Sequence, residues 1–107
     1  MKQLEQADEL RNLIESSPIL AVQFGTKTCG PCAAIRSKLD DWSRDRETVR
    51  YIYVSVEDFP ELAAAESVFT VPALLVYVEG RLTIRETGCF SLLDVLNRIE
   101  RYQTLLS

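Results

Sequence analysis

The stretch that decides the fold is "GTKTCGPCAAIRSKL", residues 25–39, where two thiols stand three positions apart at the entrance to a helix. Just before it, "ILAVQF" (19–24) is a short, mostly apolar run bounded by Pro18 and Gly25. It is long enough for a strand buried on both faces and too short for a helix. Just after it, Ile35, Leu39 and Trp42 repeat at i, i+4, i+7 through a charged background to about Asp45, which predicts a helix with one apolar stripe. If that helix begins near Cys29, the two cysteines lie at i and i+3. Their Cβ atoms are then roughly 5–6 Å apart, so a small adjustment reaches disulfide distance and a bridge can open and close at little backbone cost. Cys29 sits at the helix edge, where unsatisfied amides and the macrodipole favour an anion, and Cys32 lies one turn in. The first thiol is therefore the better nucleophile. Pro31 is tolerated because the first turn has no intrahelical partner for its missing N–H, and Gly30 lets a substrate backbone come close. Lys27, the nearest basic residue, has two readings: support for a thiolate, or ordinary surface charge.

Hydrophobic period organises the remaining chain. Leu4, Ala7, Leu10, Leu13 and Ile14 recur at helical spacing and stop at "SSP", where Pro18 cannot continue a helix. "VRYIYVSVED" (49–58) is β-branched and aromatic and predicts a strand; Asp58 as N-cap, with Pro60 just inside, then predicts a short helix over "FPELAAAESV". "VPALLVYVEGRLTIRETG" holds two apolar runs separated by Glu79-Gly80, the composition of a tight antiparallel hairpin. Ser91 and Asp94 form a capping box ahead of Leu92, Val95, Leu96, Ile99, Tyr102 and Leu106, a stripe suited to packing a last helix on the sheet. The order is α-β-α-β-α-β-β-α, an α/β chain with a central mixed sheet of four strands, or five with a short one near Met1–Leu4, and helices on both faces. No linker or repeat interrupts it, so one domain over residues 1–107 is expected.

Composition narrows the function. A chain of 107 residues with 47% apolar content can build one core. Its 12 basic and 16 acidic residues, net charge −4, include no Lys/Arg cluster of the kind nucleic acid requires. The N-terminus "MKQLEQADEL" lacks the basic-then-apolar order of a signal peptide, and "PALLVYV", the longest apolar run, is far too short to span a bilayer. A cytoplasmic protein with no membrane and no nucleic-acid partner is the expectation. Three cysteines are too few, and odd in number, for a secreted disulfide framework. A half zinc site is disfavoured by the absence of His and of a second C-x-x-C, and a pair of inert core cysteines by the Gly-Pro turn between them.

Strand, then "TCGPC", then helix, with "VPALLVY" later ahead of a hairpin, resembles the thioredoxin family over about residues 4–107. The resemblance implies a thioredoxin fold and a thiol–disulfide oxidoreductase that reduces protein disulfides through a redox-active Cys29–Cys32 bridge. No bound cofactor and no metal are implied. The chain has no G-x-G-x-x-G, so its electrons are expected from a separate reductase, for this family usually an NADPH-dependent flavoprotein. The resemblance further implies a role in electron transport and redox homeostasis, a monomer, and a cis bond before Pro72. Val71 and Pro72 would then hold an extended substrate segment by backbone pairing, with Thr28 and Gly88 on the same rim.

The chain also departs from the family pattern. Gln23 stands where typical members have a buried Asp, Tyr53 where its partner Lys would fall, Thr28 where a Trp precedes the motif, and Ala33 where a Lys follows it. Gln23 cannot titrate, so Cys32 would need water, or a carboxylate such as Glu57 or Asp58, for its proton transfers. These changes keep alive a reading of another class: a thioredoxin-like binding module that grips a partner segment beside Pro72 while its thiols turn over poorly. Cys89, in "TGCFS", is either a small buried residue at a strand-to-helix turn or an exposed thiol near the site, open to glutathionylation or intermolecular bonding.

Overall fold

The computed structural model describes residues 2–106. Nine elements follow in chain order: β1 (Lys2–Gln3), α1 (Asp8–Ser16), β2 (Ile19–Gly25), α2 (Gly30–Arg44), β3 (Val49–Ser55), α3 (Pro60–Ala65), β4 (Ala73–Val78), β5 (Arg81–Thr87) and α4 (Leu92–Leu106). The strands form one five-stranded mixed sheet in the order β1-β3-β2-β4-β5. β3 runs parallel to both β1 and β2, while β4 is antiparallel to β2 and β5. The optional fifth strand of the sequence reading is thus present at Lys2–Gln3; Met1, included in that span, lies outside the described residues.

β2 is central and buried at every position, as its unbroken apolar run requires. Alternation divides its side chains. Leu20, Val22 and Phe24 point to one face, where Leu10 of α1 and Ala63 of α3 pack on them. Ile19 and Ala21 point to the other, against Leu39 of α2 and Val95 and Ile99 of α4. The period-3.6 stripes of the helices and the period-2 alternation of the strands therefore meet in two cores, one on each side of the sheet. Glu79 (φ 50°) and Gly80 (φ 83°) both adopt left-handed conformations, the geometry that lets a two-residue turn follow the twist of the β4–β5 hairpin.

Three boundaries differ from the sequence reading. Leu4 has helical spacing but precedes α1: its N–H donates to the Tyr53 carbonyl (2.9 Å), so it continues the β1 pairing while its side chain is buried. The Glu9 carboxylate closes the helix start by accepting from the Glu5 and Gln6 N–H groups (3.0 and 2.8 Å). α3 is shorter than expected, and its N-cap is Phe59 rather than Asp58. The Asp58 N–H is held by Ser55 Oγ (3.4 Å), which turns the chain one residue later than the Asp-x-Pro spacing suggested. Leu106 belongs to the apolar stripe of α4 by spacing, yet it is exposed at the end of the helix, past the last packed residue, Tyr102. The capping of α4 is as expected, with Ser91 Oγ accepting from the Asp94 N–H at 3.2 Å.

Candidate active site

The end of β2 and the start of α2 set the site. Cys29 is the N-cap of α2 in an extended conformation (φ −86°, ψ 103°), with Pro31 in the first turn. Its sulfur accepts from the Cys32 N–H at 3.2 Å, one of the donors that a helix start leaves unpaired. The two cysteines are bridged, with their Cα atoms 5.2 Å apart. Cys29 is half-buried while Cys32 is 1% exposed, so an incoming group meets the first sulfur and not the second. Gly30 has open space around its Cα, which leaves the backbone beside Cys29 accessible.

The Val71–Pro72 bond is cis. The Pro72 carbonyl accepts from the Gly88 N–H (2.8 Å), and Gly88 takes φ 74°, a conformation that suits glycine. A groove of about 550 Å³ runs between these loops and α2, with Pro31, Ile35, Val71, Pro72, Gly88 and Cys89 among its lining. The structure thus brings Pro31, Val71, Pro72, Gly88 and Cys89 to one surface. Cys89 is exposed, which decides between its two readings in favour of an accessible thiol on the groove wall. Thr28 is exposed in the loop ahead of Cys29. The Lys27 backbone N–H donates to Glu57 Oε1 (2.9 Å), so this carboxylate ties the loop before Cys29 to the end of β3.

Beneath the bridge lies a polar layer that the sequence reading located only in part. Gln23 is fully buried; its Nε2 donates to the Cys32 carbonyl (2.9 Å), and its Oε1 accepts from the Tyr51 hydroxyl. Its amide therefore braces the main chain of Cys32 rather than facing the sulfur. Burial pushes the Tyr51 phenol well above its ordinary pKa, so it acts as a donor. Tyr53 is buried beneath the Arg36 guanidinium, which lies 4.1 Å above its ring. Burial also raises the Tyr53 pKa, with Arg36 opposing and Glu57 reinforcing the shift. A Cβ added to Gly25 would stand 2.6 Å from the Tyr53 hydroxyl, 3.0 Å from Cys32 Cβ and 3.1 Å from Cys32 Sγ. Gly25 and Tyr51 were missed as site residues. Strand period carries part of the signal, since it puts positions 23 and 25 of β2, and 51 and 53 of β3, on the α2 face, without saying which of them meet.

A half-buried cysteine at a helix N-cap, bridged to a buried partner just past the central strand of a mixed sheet, is the arrangement of a thiol–disulfide oxidoreductase. Comparison with known proteins agrees. A family model described as Thioredoxin matches residues 2–101. Thioredoxin-1 of Schizosaccharomyces pombe is 29% identical over 80 residues, covering 75% of this chain and 78% of that protein. Thioredoxin-2 of Pyricularia oryzae is 30% identical over 77 residues, which make up 72% of this chain but only 45% of that longer relative. The X-ray structure of Fasciola hepatica thioredoxin superposes with a TM-score of 0.84 at 27% identity, covering 95% of this chain and 99% of that one. The chain belongs to the thioredoxin family.

Proposed function

We infer that the chain reduces disulfide bonds in other proteins, with Cys29 as nucleophile and Cys32 as resolving thiol. The observation that carries this reading is the difference in burial across one bridge: Cys29 is open to a partner at the helix edge and Cys32 is closed off beneath it. In the reduced protein the Cys29 thiolate is favoured by the Cys32 N–H and the α2 N-terminus, and it attacks one sulfur of the target disulfide. A mixed disulfide forms and the other target sulfur leaves as a thiolate. Cys32 thiolate then attacks Cys29 Sγ, the Cys29–target bond breaks, the second target sulfur departs with the electron pair, and the Cys29–Cys32 bridge closes. The extended target segment lies in the groove beside Val71, Pro72 and Gly88, with Thr28 on its rim.

The cycle uses no bound cofactor, only the dithiol. Reduction of the bridge falls to a separate reductase, an NADPH-dependent flavoprotein, and the chain works as a monomer in the cytoplasm, a compartment that keeps thiols reduced. The test is trapping. Cys32→Ser is expected to accumulate covalent mixed disulfides with target proteins, whereas Cys29→Ser traps none. Equal trapping by both variants would cancel the assignment of roles. Insulin reduction driven by dithiothreitol reads turnover directly. If it is absent while partner segments still bind beside Pro72, the chain is a binding module instead, a reading that rests on the non-titrating Gln23 and on Thr28.

A further inference from the structure

We propose that the Tyr53 hydroxyl is a hydrogen-bond donor to the Cys32 thiolate during resolution of the mixed disulfide, and that the lack of a side chain at Gly25 lets it approach the sulfur. This deepens the reading of the site as a disulfide reductase and rests on it. The geometry comes from one point. A Cβ on Gly25 would stand 2.6 Å from the Tyr53 oxygen and 3.1 Å from Cys32 Sγ, so both atoms close in on the same bare Cα and lie at most about 6 Å apart; they are not hydrogen-bonded in the bridged protein, and the bond proposed forms once reduction frees Cys32 Sγ. Gln23 is already engaged, with its Nε2 donating to the Cys32 carbonyl and its Oε1 accepting from the Tyr51 hydroxyl. Tyr53 does not take the proton either, since burial keeps its phenol protonated.

Burial makes a donor necessary. Cys32 is 1% exposed, and a charge formed there loses most of its hydration. In the step itself the Cys32 thiol gives its proton to water, and its electron pair forms the bond to Cys29 Sγ. The target sulfur leaves with the pair from the broken bond. Tyr53 stabilises the thiolate that exists between deprotonation and attack and is itself unchanged.

The size of the effect follows from two opposing consequences of one hydrogen bond. If the bond lowers the Cys32 pKa by one unit, the thiolate fraction below that pKa rises about tenfold. The same stabilisation lowers the nucleophilicity of the thiolate, with a Brønsted coefficient of about 0.4–0.5, which returns roughly threefold. The net advantage is about threefold at low pH, and it reverses once the thiol is fully ionised. A purely structural role of Tyr53 would give no such crossing.

The experiment uses Tyr53→Phe and Gly25→Ala, each with Cys89→Ser so that the third thiol is silent, against Cys89→Ser alone. The reduced proteins are mixed with 5,5′-dithiobis(2-nitrobenzoate) in a stopped-flow instrument. The first equivalent of yellow thiolate reports attack by Cys29, and the second reports resolution by Cys32. The charges that act on the Tyr53 hydroxyl are Arg36 from α2 and Glu57 after β3, with the Tyr51 phenol near it on β3, and Lys27 and Asp58 line the same pocket as Tyr53. All of them persist in every variant. The expected result is a second phase about threefold slower in Tyr53→Phe below the midpoint of the pH profile, equal or faster above it, with the first phase unchanged. Gly25→Ala, whose methyl intrudes on the hydroxyl, should move in the same direction. Superimposable second-phase profiles, or a slowing by one factor at every pH, would overturn the proposal. Loss of the second phase in the reference protein itself would instead remove the reductase reading on which it rests.

Discussion

Gln23→Leu tests whether the buried amide beneath the bridge is a structural brace. The substitution keeps approximate volume and removes both polar contacts of a side chain with no exposure: the 2.9 Å bond to the Cys32 carbonyl and the acceptor for the Tyr51 hydroxyl. The lost amide–carbonyl bond costs about 1 kcal/mol, and a buried hydroxyl left without an acceptor costs about 1–3 kcal/mol more, so the single variant should lose about 2–4 kcal/mol. Tyr51→Phe alone strands the Gln23 carbonyl oxygen and should lose about 1–3 kcal/mol. The double variant removes both ends of that contact, so its loss should fall short of the sum by roughly 1–3 kcal/mol. Urea unfolding of the four oxidised proteins, with a common m-value, measures the cycle. Additivity within about 0.5 kcal/mol would show that Tyr51 and Gln23 do not depend on each other, and the bracing of Cys32 by this layer would be refuted.

Three further outcomes follow from the same layer and from α2. Gln23→Asp places a carboxylate in a site with no exposure. Burial raises its folded pKa above the unfolded value of about 3.9, so the variant should be destabilised progressively as pH rises past that value and should recover stability below it, which urea midpoints across pH 3–8 would check. The same carboxylate is expected to accept the Cys32 proton and speed resolution near neutral pH; an unchanged or slower second phase would show that it cannot reach the sulfur. Trp42 packs in the α2–α4 core under Arg46, whose guanidinium lies 4.3 Å from its ring, and it is ten residues along α2 from Cys32, roughly 15 Å at 1.5 Å per residue. Reduction of the bridge should leave tryptophan emission almost unchanged; a severalfold rise with dithiothreitol would contradict the straight course of α2.

The parts legible in sequence are those where a local pattern and the tertiary fold ask for the same thing. "ILAVQF" reads as a doubly buried strand and becomes β2; Glu79-Gly80 reads as a tight turn and takes two positive φ angles; the CGPC stretch reads as a helix entrance and becomes the N-cap of α2. Where the reading slipped, a contact distant in sequence outweighed a local signal. Leu4 has helical spacing but pairs with Tyr53, 49 positions away, and Asp58 has capping chemistry but is held by the turn at Ser55. The site divides in the same way. The two cysteines and Pro72 carry their chemistry in their own motifs, whereas Gly25 gains a role only because β3 brings a phenol over it, and no pattern within β2 contains that phenol.

The polar layer also changes how pH enters the chemistry. A carboxylate at position 23 would titrate beneath the bridge and link the stability of the oxidised and reduced forms to its own proton. Gln23 has no proton to exchange, and Tyr51 and Tyr53 are both pushed upward by burial, away from the range in which thiols ionise. The groups that brace Cys32 therefore keep one charge state from mildly acidic to mildly alkaline solution, and the pH dependence of exchange is left to the thiols. A layer of this kind holds the geometry of Cys32 constant while giving up a fixed proton acceptor. On the proposed function, that trade predicts a second step set by how well a neutral donor can support a buried thiolate.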